Sequence, residues 1–441
     1  MTDMVGQRAG AAAVTPLLPV EVGKAGIPYA QGMAAGPWVF ATGHIAQAYP
    51  SGFDPEVVSA GLPHGGLPRN QKEAAVIFDR IGAVFASAGT GLENVVRVDQ
   101  YYPTHTAVDH YHVVRRRRLP TVPPSTSMLM RELSVPGAEM NVQAIGVVPE
   151  KGLRPQAIVN PSIDAHPTSG YSATLCAGDW VFVAGMTPTA KAGHPMRNGL
   201  AEAAQMAPGM LWRGTPIKLE AEYAITEKIV PALEAGGSSL ANVCKAQVYL
   251  SHGEDYSAFM EVWNRHFGAS PPALSIIPCS NPGMGQLAAR VEINVLAVKD
   301  KAAIRKSIIG GDRFTGFAGV PEAVHCGDLL FLSGLMAVDE RGLLASAAAD
   351  QAQPYLCAPG KAQMRAILRR AQHICGQAGT SLSNILRIQH FHTDLGEMLQ
   401  ALEAWQEVLP NYPLPFSAVG VPDRMPAPGV SLIADLWVYA P

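Results

Sequence analysis

The stretch Gly36-Pro37-Trp38-Val39-Phe40-Ala41-Thr42-Gly43 decides how this chain is read. It returns as Gly178-Asp179-Trp180-Val181-Phe182-Val183-Ala184-Gly185 and again as Gly327-Asp328-Leu329-Leu330-Phe331-Leu332-Ser333-Gly334, at spacings of 142 and 149 residues. A second landmark, Ala88-Gly-Thr-Gly-Leu-Glu-Asn-Val95, recurs from Ala235 to Val243 and from Ala378 to Ile385, at spacings of 147 and 143. Two unrelated landmarks that keep one order and nearly one period mark three copies of one unit.

Each copy can be parsed by period and punctuation. The glycine turn leads into an apolar run (Trp38 to Thr42, Trp180 to Ala184, Leu329 to Ser333) that reads as a buried strand. Apolar residues at helical spacing follow, clearest from Lys72 to Ala86 and ending on Ala-Gly, with counterparts at Glu220 to Leu233 and Met364 to Cys375. Next come a β-rich stretch (Val95 to Tyr102, Val243 to Leu250, Ile385 to Phe391), a second helix, a Pro-rich turn and two strands. The last strands are Met140 to Val148, Val291 to Val298 and Leu432 to Tyr439. This order predicts an α+β sandwich with two helices on one face of a mixed sheet. The expected divisions are a flexible segment 1–20 and units at 21–150, 151–300 and 301–441, joined by linkers within Pro149 to Pro167 and Lys299 to Gly311.

Composition narrows the function classes. Of 441 residues, 48% are apolar and 16% charged, enough to bury large cores throughout. A net charge of −3 offers no footprint for a nucleic-acid backbone. The one basic run, Arg115 to Arg118, reads as cations closing a helix C-terminus, with an anion site as the alternative. Six scattered cysteines without a CxxC pair speak against structural zinc and a disulfide framework, and suit a reducing cytoplasm. Pro16, Pro19 and a single Arg8 make the N-terminus a poor signal peptide, and no run of 18 apolar residues is present to span a membrane.

The chain resembles the Rid family (reactive intermediate deaminases, also called YjgF-like or L-PSP-like). The resemblance rests on Ile27-Pro28-Tyr29, the glycine seven residues on, the strand ending Thr42-Gly43, the Ala-Gly landmark and a final Pro-x-x-x-Ser strand, once per unit. It implies chorismate-mutase-like domains that assemble as trimers with a site in each cleft between neighbours. Three copies in one chain then imply an intramolecular pseudo-trimer with three inequivalent clefts. The resemblance also implies hydrolysis of an enamine or imine to a keto acid and ammonia, with an arginine holding the carboxylate and a glutamate positioning water.

Carried over position by position, the motif is uneven. At the family's arginine stand Ser125, Ala273 and Pro415, so the bidentate clamp is missing from every strand. Ser127, Ser275 and Ser417 occupy the following Cys/Thr position, and Asn141, Glu292 and Ile433 occupy that of the glutamate. The leading tyrosine is kept as Tyr29 and Tyr171 but replaced by Val320; the strand-end hydroxyl is kept as Thr42 and Ser333 but replaced by Ala184. His112 aligns with a helix position facing the cleft, where an imidazole can serve as general base. The catalytic expectation is therefore Glu292, Ser275, Ser127 and His112. Tyr29, Tyr171, Thr42, Asn141, Ser417 and a displaced anion clamp at Arg131, Arg290 or Arg424 are expected to bind substrate.

Remaining features are weaker. His390 and His392 share one face of a strand, a spacing that permits metal but also fits partly exposed sheet histidines. His44 is a candidate at the cleft rim, and the loop Asn281 to Gly285 reads as a turn. No Walker loop, GxGxxG, GxSxG or HExxH is present, so cofactor-free and metal-free chemistry is expected. The leading expectation is a hydrolase or deaminase acting on the C–N bond of a small imine, enamine or cyclic nitrogen compound in an inter-unit cleft. A chorismatase-like enzyme and a non-catalytic binding protein are the alternatives. The expected partner is a small molecule, with no nucleic acid or membrane, and further pairing of pseudo-trimers is left open.

Overall fold

The computed structural model describes residues 14–22, 26–48, 52–58, 66–160, 163, 170–190, 199–282, 289–311, 316–353 and 356–441. The first unit contains β1 (Thr15–Val22), β2 (Ile27–Ala35), β3 (Trp38–His44), a short α1 (Pro55–Val58), α2 (Arg69–Ser87), β4 (Val95–Tyr102), α3 (Val108–Arg118), β5 (Ser125–Leu129), β6 (Glu132–Leu133) and β7 (Asn141–Val147). The second has β8 (Pro155–Ile158), β9 (Thr174–Ala177), β10 (Trp180–Met186), α4 (Thr215–Tyr223), α5 (Val230–Ala235), β11 (Val243–Leu250), α6 (Tyr256–Phe267), β12 (Ala273–Pro278), β13 (Asn281–Pro282) and β14 (Val291–Val298). The third has β15 (Lys306–Ile309), β16 (Ala323–Cys326), β17 (Leu329–Leu332), a hairpin of β18 (Val338–Asp339) and β19 (Gly342–Leu343), α7 (Pro359–Gln377), β20 (Ile385–His392), α8 (Met398–Val408), β21 (Phe416–Gly420) and β22 (Leu432–Tyr439).

The sheets run β1-β2-β3-β7-β4-β5, β8-β9-β10-β14-β11-β12 and β15-β16-β17-β22-β20-β21, one topology three times. Only the last pair of each, β4 with β5, β11 with β12 and β20 with β21, is parallel, because an intervening helix crosses over between them. Two sequence expectations change. Residues 15–20, read as flexible, belong to β1, which pairs along β2; residues 1–13 lie outside the described residues. The two proposed linkers hold β8 and β15, the matching edge strands of the second and third sheets. Short half-buried edge strands carry too few apolar residues to stand out by period.

In the second unit the long helix is not regular. It passes from α4 through a π-helical stretch, Ala224–Ile229, into α5. Pro231 has no N–H to donate and its ring crowds the carbonyl four residues back, which widens the preceding turn.

Each sheet buries one face against its own helices, forming three separate cores. The other faces meet in shared cores to which all three units contribute, including Trp38 and Phe40, Trp180 and Phe182, and Phe331 and Trp437. Trp38 meets Trp180 edge-on at 5.5 Å, and Phe331 meets Trp437 at 4.8 Å. Edge-to-face aromatic pairs suit a junction of three sheets, since each ring offers its positive rim to a neighbour's face.

Strand exchange links the units further. β6 of the first unit extends the third sheet beside β21, and β13 of the second extends the first sheet beside β5. From the third unit, Arg424 donates to the Ser251 carbonyl of the second and accepts at its own carbonyl from Tyr256 Oη at 3.0 Å. Every unit therefore reaches over one neighbour.

Candidate functional site

Sequence reasoning placed chemistry at the seams, and each seam is built the same way: the parallel edge strand of one unit lies against the third strand of the next. β5 lies on β10, β12 on β17 and β21 on β3. The residue at the leading-tyrosine position packs into the preceding unit's core. Tyr171 leans on the first unit, Val320 on the second and Tyr29 on the third. What differs is what fills the space.

The seam between units one and two is the most polar. Strand alternation puts Ser125, Ser127 and Gln100 on the helix-facing side of their sheet. Gln100 Oε1 accepts from Ser125 Oγ at 3.0 Å and Ser127 Oγ at 2.6 Å. Arg115 Nη1 donates to Ser125 Oγ at 2.9 Å. Its guanidinium lies 5.5 Å from the Tyr111 ring centroid and interacts with Tyr102 and, across the seam, Tyr171. Arg115 is fully buried, so the reading of the basic run as four dipole-offsetting cations is corrected for this residue: Arg116, Arg117 and Arg118 are exposed, and Arg115 turns inward. Burial lowers the Arg115 pKa while the surrounding tyrosines raise it.

Across this seam, Glu292 on β14 is buried with its carboxylate folded over Gly185, where a Cβ would lie 1.7 Å from Oε1. Any larger residue there would force the Glu292 carboxylate to move. Asn294 Nδ2 donates to Thr126 Oγ1 at 3.1 Å, and Ser172 N donates to the Val122 carbonyl at 2.9 Å, so both units are hydrogen-bonded around the site. His112 lies one helical turn before Arg115, on the same side of α3. Burial, then Arg115 and Arg116, push its pKa down to about 3, which leaves the imidazole neutral at neutral pH.

The seam between units three and one is closed by its own groups. Tyr29 Oη and Thr42 Oγ1 are 2.8 Å apart, and Thr42 Oγ1 donates to the Ala30 carbonyl at 2.9 Å. The Tyr29 ring stands edge-on to Phe416 at 5.2 Å, and main-chain bonds from Ala30 N to Leu414 O and from Leu414 N to Pro28 O lace the two units together. Ser417 Oγ donates to Asn141 Oδ1 at 3.4 Å, close against Gly43. Arg131, offered as an anion clamp, is exposed and pairs with its neighbour Glu132.

The seam between units two and three carries Ser275, but not as a free hydroxyl. Lys245 Nζ donates to Ser275 Oγ at 2.8 Å, to the Leu332 carbonyl at 2.7 Å and to Asp435 Oδ2 at 2.8 Å. Gly334 packs on Ser275, and Ser333 Oγ accepts from Leu274 N at 3.0 Å. Ser275 thus serves a buried ion pair that reaches into the third unit.

Of the predicted residues, then, Ser127, Tyr171 and His112 lie on the helix side of the first sheet near Arg115, Glu292 faces inward from the second sheet beside Asn294, which bonds Thr126, and Tyr29, Thr42, Asn141 and Ser417 meet at another seam. Sequence reasoning missed Arg115 and Gln100. The only signal for Arg115 was its place on the helix, three residues after His112, which the basic run concealed.

Other candidates resolve structurally. Arg290 pairs with buried Asp255 at 2.9 Å. His44 is buried, Nε2 lies 2.9 Å from the Gln31 carbonyl, and burial pushes its pKa down to about 4. His390 and His392 are fully buried beneath α7 and α8 rather than partly exposed, with Trp405 Nε1 donating to His390 Nε2 at 3.1 Å. Among the described residues no group of three His, Cys, Asp or Glu side chains could hold a metal ion, and no helix is long and apolar enough to cross a membrane. Gly283 to Gly285 of the predicted turn lie outside the described residues.

Comparison with known proteins agrees with this repeat architecture. A RutC family protein of Pyrococcus horikoshii is 28% identical over 135 residues, which is 30% of this chain and 90% of that protein. The crystal structure of a putative endoribonuclease from Thermotoga maritima is 24% identical, covers 33% of this chain and 98% of its own, and has a TM-score of 0.26. A chorismatase crystal structure is 12% identical, covers 78% of this chain and 93% of its own, and has a TM-score of 0.47. The Pyrococcus relative thus aligns over most of its length with about a third of this protein. The family described as Endoribonuclease L-PSP matches residues 162–299 and 317–432, together more than half of the sequence, and the chain belongs to that family.

Proposed function

We propose that the three units form an intramolecular pseudo-trimer, divided near residues 150 and 300, and that the seam between the first and second units is a cofactor-free site hydrolysing the C–N bond of a small carboxylate-bearing imine or enamine. The observation that carries this reading is Arg115 beside Ser125. The motif match gives Ser125 for the family's arginine, and a guanidinium from α3 reaches that serine. Arginine remains cationic in such surroundings and offers a planar fork to a carboxylate.

In this reading Glu292 accepts a hydrogen bond from the attacking water, whose oxygen adds to the imine carbon. The water's proton passes by way of the Glu292 carboxylate to the nitrogen, and the carbinolamine then passes its hydroxyl proton to the departing amine as it collapses to a carbonyl and ammonia. Ser127 and Gln100 hold the polar end of the substrate, Tyr171 closes the site from the second unit, and His112, held neutral, lines the site without acting as a base near neutral pH. Tyr29, Thr42, Asn141 and Ser417 serve the adhesive seam instead.

The test is ammonia release from 2-iminopropanoate generated in situ. Removing a charge-assisted hydrogen bond costs about 1.5–3 kcal/mol, so Arg115→Met is expected to lower kcat/KM about 10- to 100-fold. Arg117→Met serves as the exposed control and Glu292→Gln tests the water. Equal activity of folded Arg115→Met and the parent would remove the seam from the mechanism.

A further inference from the structure

At every seam the inner strand of one unit's leading hairpin packs across onto a strand of its neighbour: β9 on β4, β16 on β11 and β2 on β20. Strand register identifies the matching residues. Ala177, Cys326 and Ala35 each pair with the first residue of the following strand. Val96, Cys244 and Leu386 each occupy the register shift just before Arg97, Lys245 and Arg387. All six lie in the shared apolar core. Two seams therefore bring together aliphatic side chains, and the seam between units two and three brings together two thiols.

Cys244 and Cys326 are both free, and each thiol acts directly on the other across the seam. A lysine completes the group. Lys306 on β15 stands opposite Cys326, where Pro155 stands opposite Ala177 in the second unit. Its half-buried ammonium donates to the Val243 carbonyl at 2.8 Å, one residue before Cys244, and to the Ser270 carbonyl at 2.7 Å. The Cys244 thiol, and then Lys306, hold the Cys326 thiol below its usual range against the opposing effect of burial, while Cys326 and burial push Cys244 up. Cys326 is thus the better nucleophile of the two.

We propose that Cys244 and Cys326 form a dithiol that a hydroperoxide oxidises to a disulfide joining units two and three. The Cys326 sulfur attacks the terminal peroxide oxygen, the O–O bond breaks, and the departing alkoxide or hydroxide takes the thiol proton. The Cys244 sulfur then attacks the sulfenic sulfur; the S–S bond forms, and the hydroxyl leaves with the Cys244 proton as water. Two thiols lose two electrons and the peroxide gains them. Both sulfurs are buried, and access comes through β15, a four-residue, half-exposed edge strand, the kind of element that opens locally without global unfolding.

The experiment adds hydrogen peroxide to the folded full chain, alkylates the remaining thiols in denaturant and identifies the cysteine peptides by mass spectrometry. The expected product links Cys244 to Cys326, leaves two of the six cysteines unalkylated and reverts with dithiothreitol. Oxidation should also raise the thermal midpoint, because a bond closing a long loop restricts the unfolded chain. Cys326→Ala, which copies Ala177, should show neither change. Six alkylated thiols after peroxide, sulfinic acid at Cys326 without linkage, or linkage only in urea would overturn the proposal.

Discussion

Replacing Lys245 by methionine tests whether units two and three are joined by a shared buried ion pair. Lys245 comes from β11 of the second unit, and both Asp435 and the Leu332 carbonyl belong to the third. Lys245 and Asp435 are at most 1% exposed, so neither charge can turn to solvent when its partner is lost. In Lys245→Met the Asp435 carboxylate keeps Trp437 and Gln247 but loses its cation, and breaking such a buried pair costs about 3–5 kcal/mol. Asp435→Asn preserves an acceptor for the Trp437 indole. The double variant should therefore be more stable than the sum of single losses predicts, by about 1–3 kcal/mol. Urea denaturation followed by tryptophan fluorescence reads this, with circular dichroism as a second probe of whether the units unfold together. A loss below about 1 kcal/mol in Lys245→Met, or strict additivity, would refute the argument that the pair joins these units.

Three further outcomes follow from the seams and cores. Gly43→Ala would place a Cβ 2.4 Å from Ser417 Oγ and 3.0 Å from Asn141 Nδ2; it should lower the thermal midpoint, and adding Ser417→Gly should restore much of it. Glu73 accepts from Glu139 N and Met140 N through Oε1, and burial raises its pKa to about 7. A carboxyl whose pKa is raised on folding contributes stability below its unfolded value near 4.5, lost as pH rises through 7. Glu73→Gln, which copies Gln363 at the same place in the third unit, should thus match the parent near pH 4.5 and exceed it at pH 8 in denaturation midpoints; equal curves would disprove the buried acid. His392 has its pKa pushed down to about 4 by burial, so its neutral form is favoured by folding, and stability declines as pH falls from 6.5 towards 4. Relative to the parent, His392→Phe should gain about 2 kcal/mol between pH 7 and pH 5. No pH-dependent difference would place that imidazole in water.

Much of the architecture is legible in the chain because repetition and apolar period are local properties. Trp38 to Thr42 and its two echoes announced three buried strands, and the helical spacing from Lys72 to Ala86 announced α2. Their order predicted the sheet-and-helix sandwich that each unit forms. Single-residue comparison of the copies also isolated Glu292, which sits over Gly185 at the polar seam. The edge strands β8 and β15 escaped detection because they are short and half-exposed, and β1, eight residues long, because Pro16 and Pro19 interrupt its apolar run.

What tertiary structure alone decided is which polar residues meet. The motif matched Ser127 with Ser275 and Ser417, but the strand register sets Thr126 at that place, so Ser127 turns to Gln100 on the helix side while Ser275 answers the Lys245 ammonium. Arg115 is indistinguishable from Arg116 to Arg118 in a list of residues, but helical rotation turns it inward onto Ser125 while the rest face solvent. Hydrophobic period is written along one strand or helix, whereas the Lys245–Asp435 pair joins strands of different units and Arg115 reaches Ser125 only when α3 has packed on its sheet. Those contacts exist only once the chain has packed.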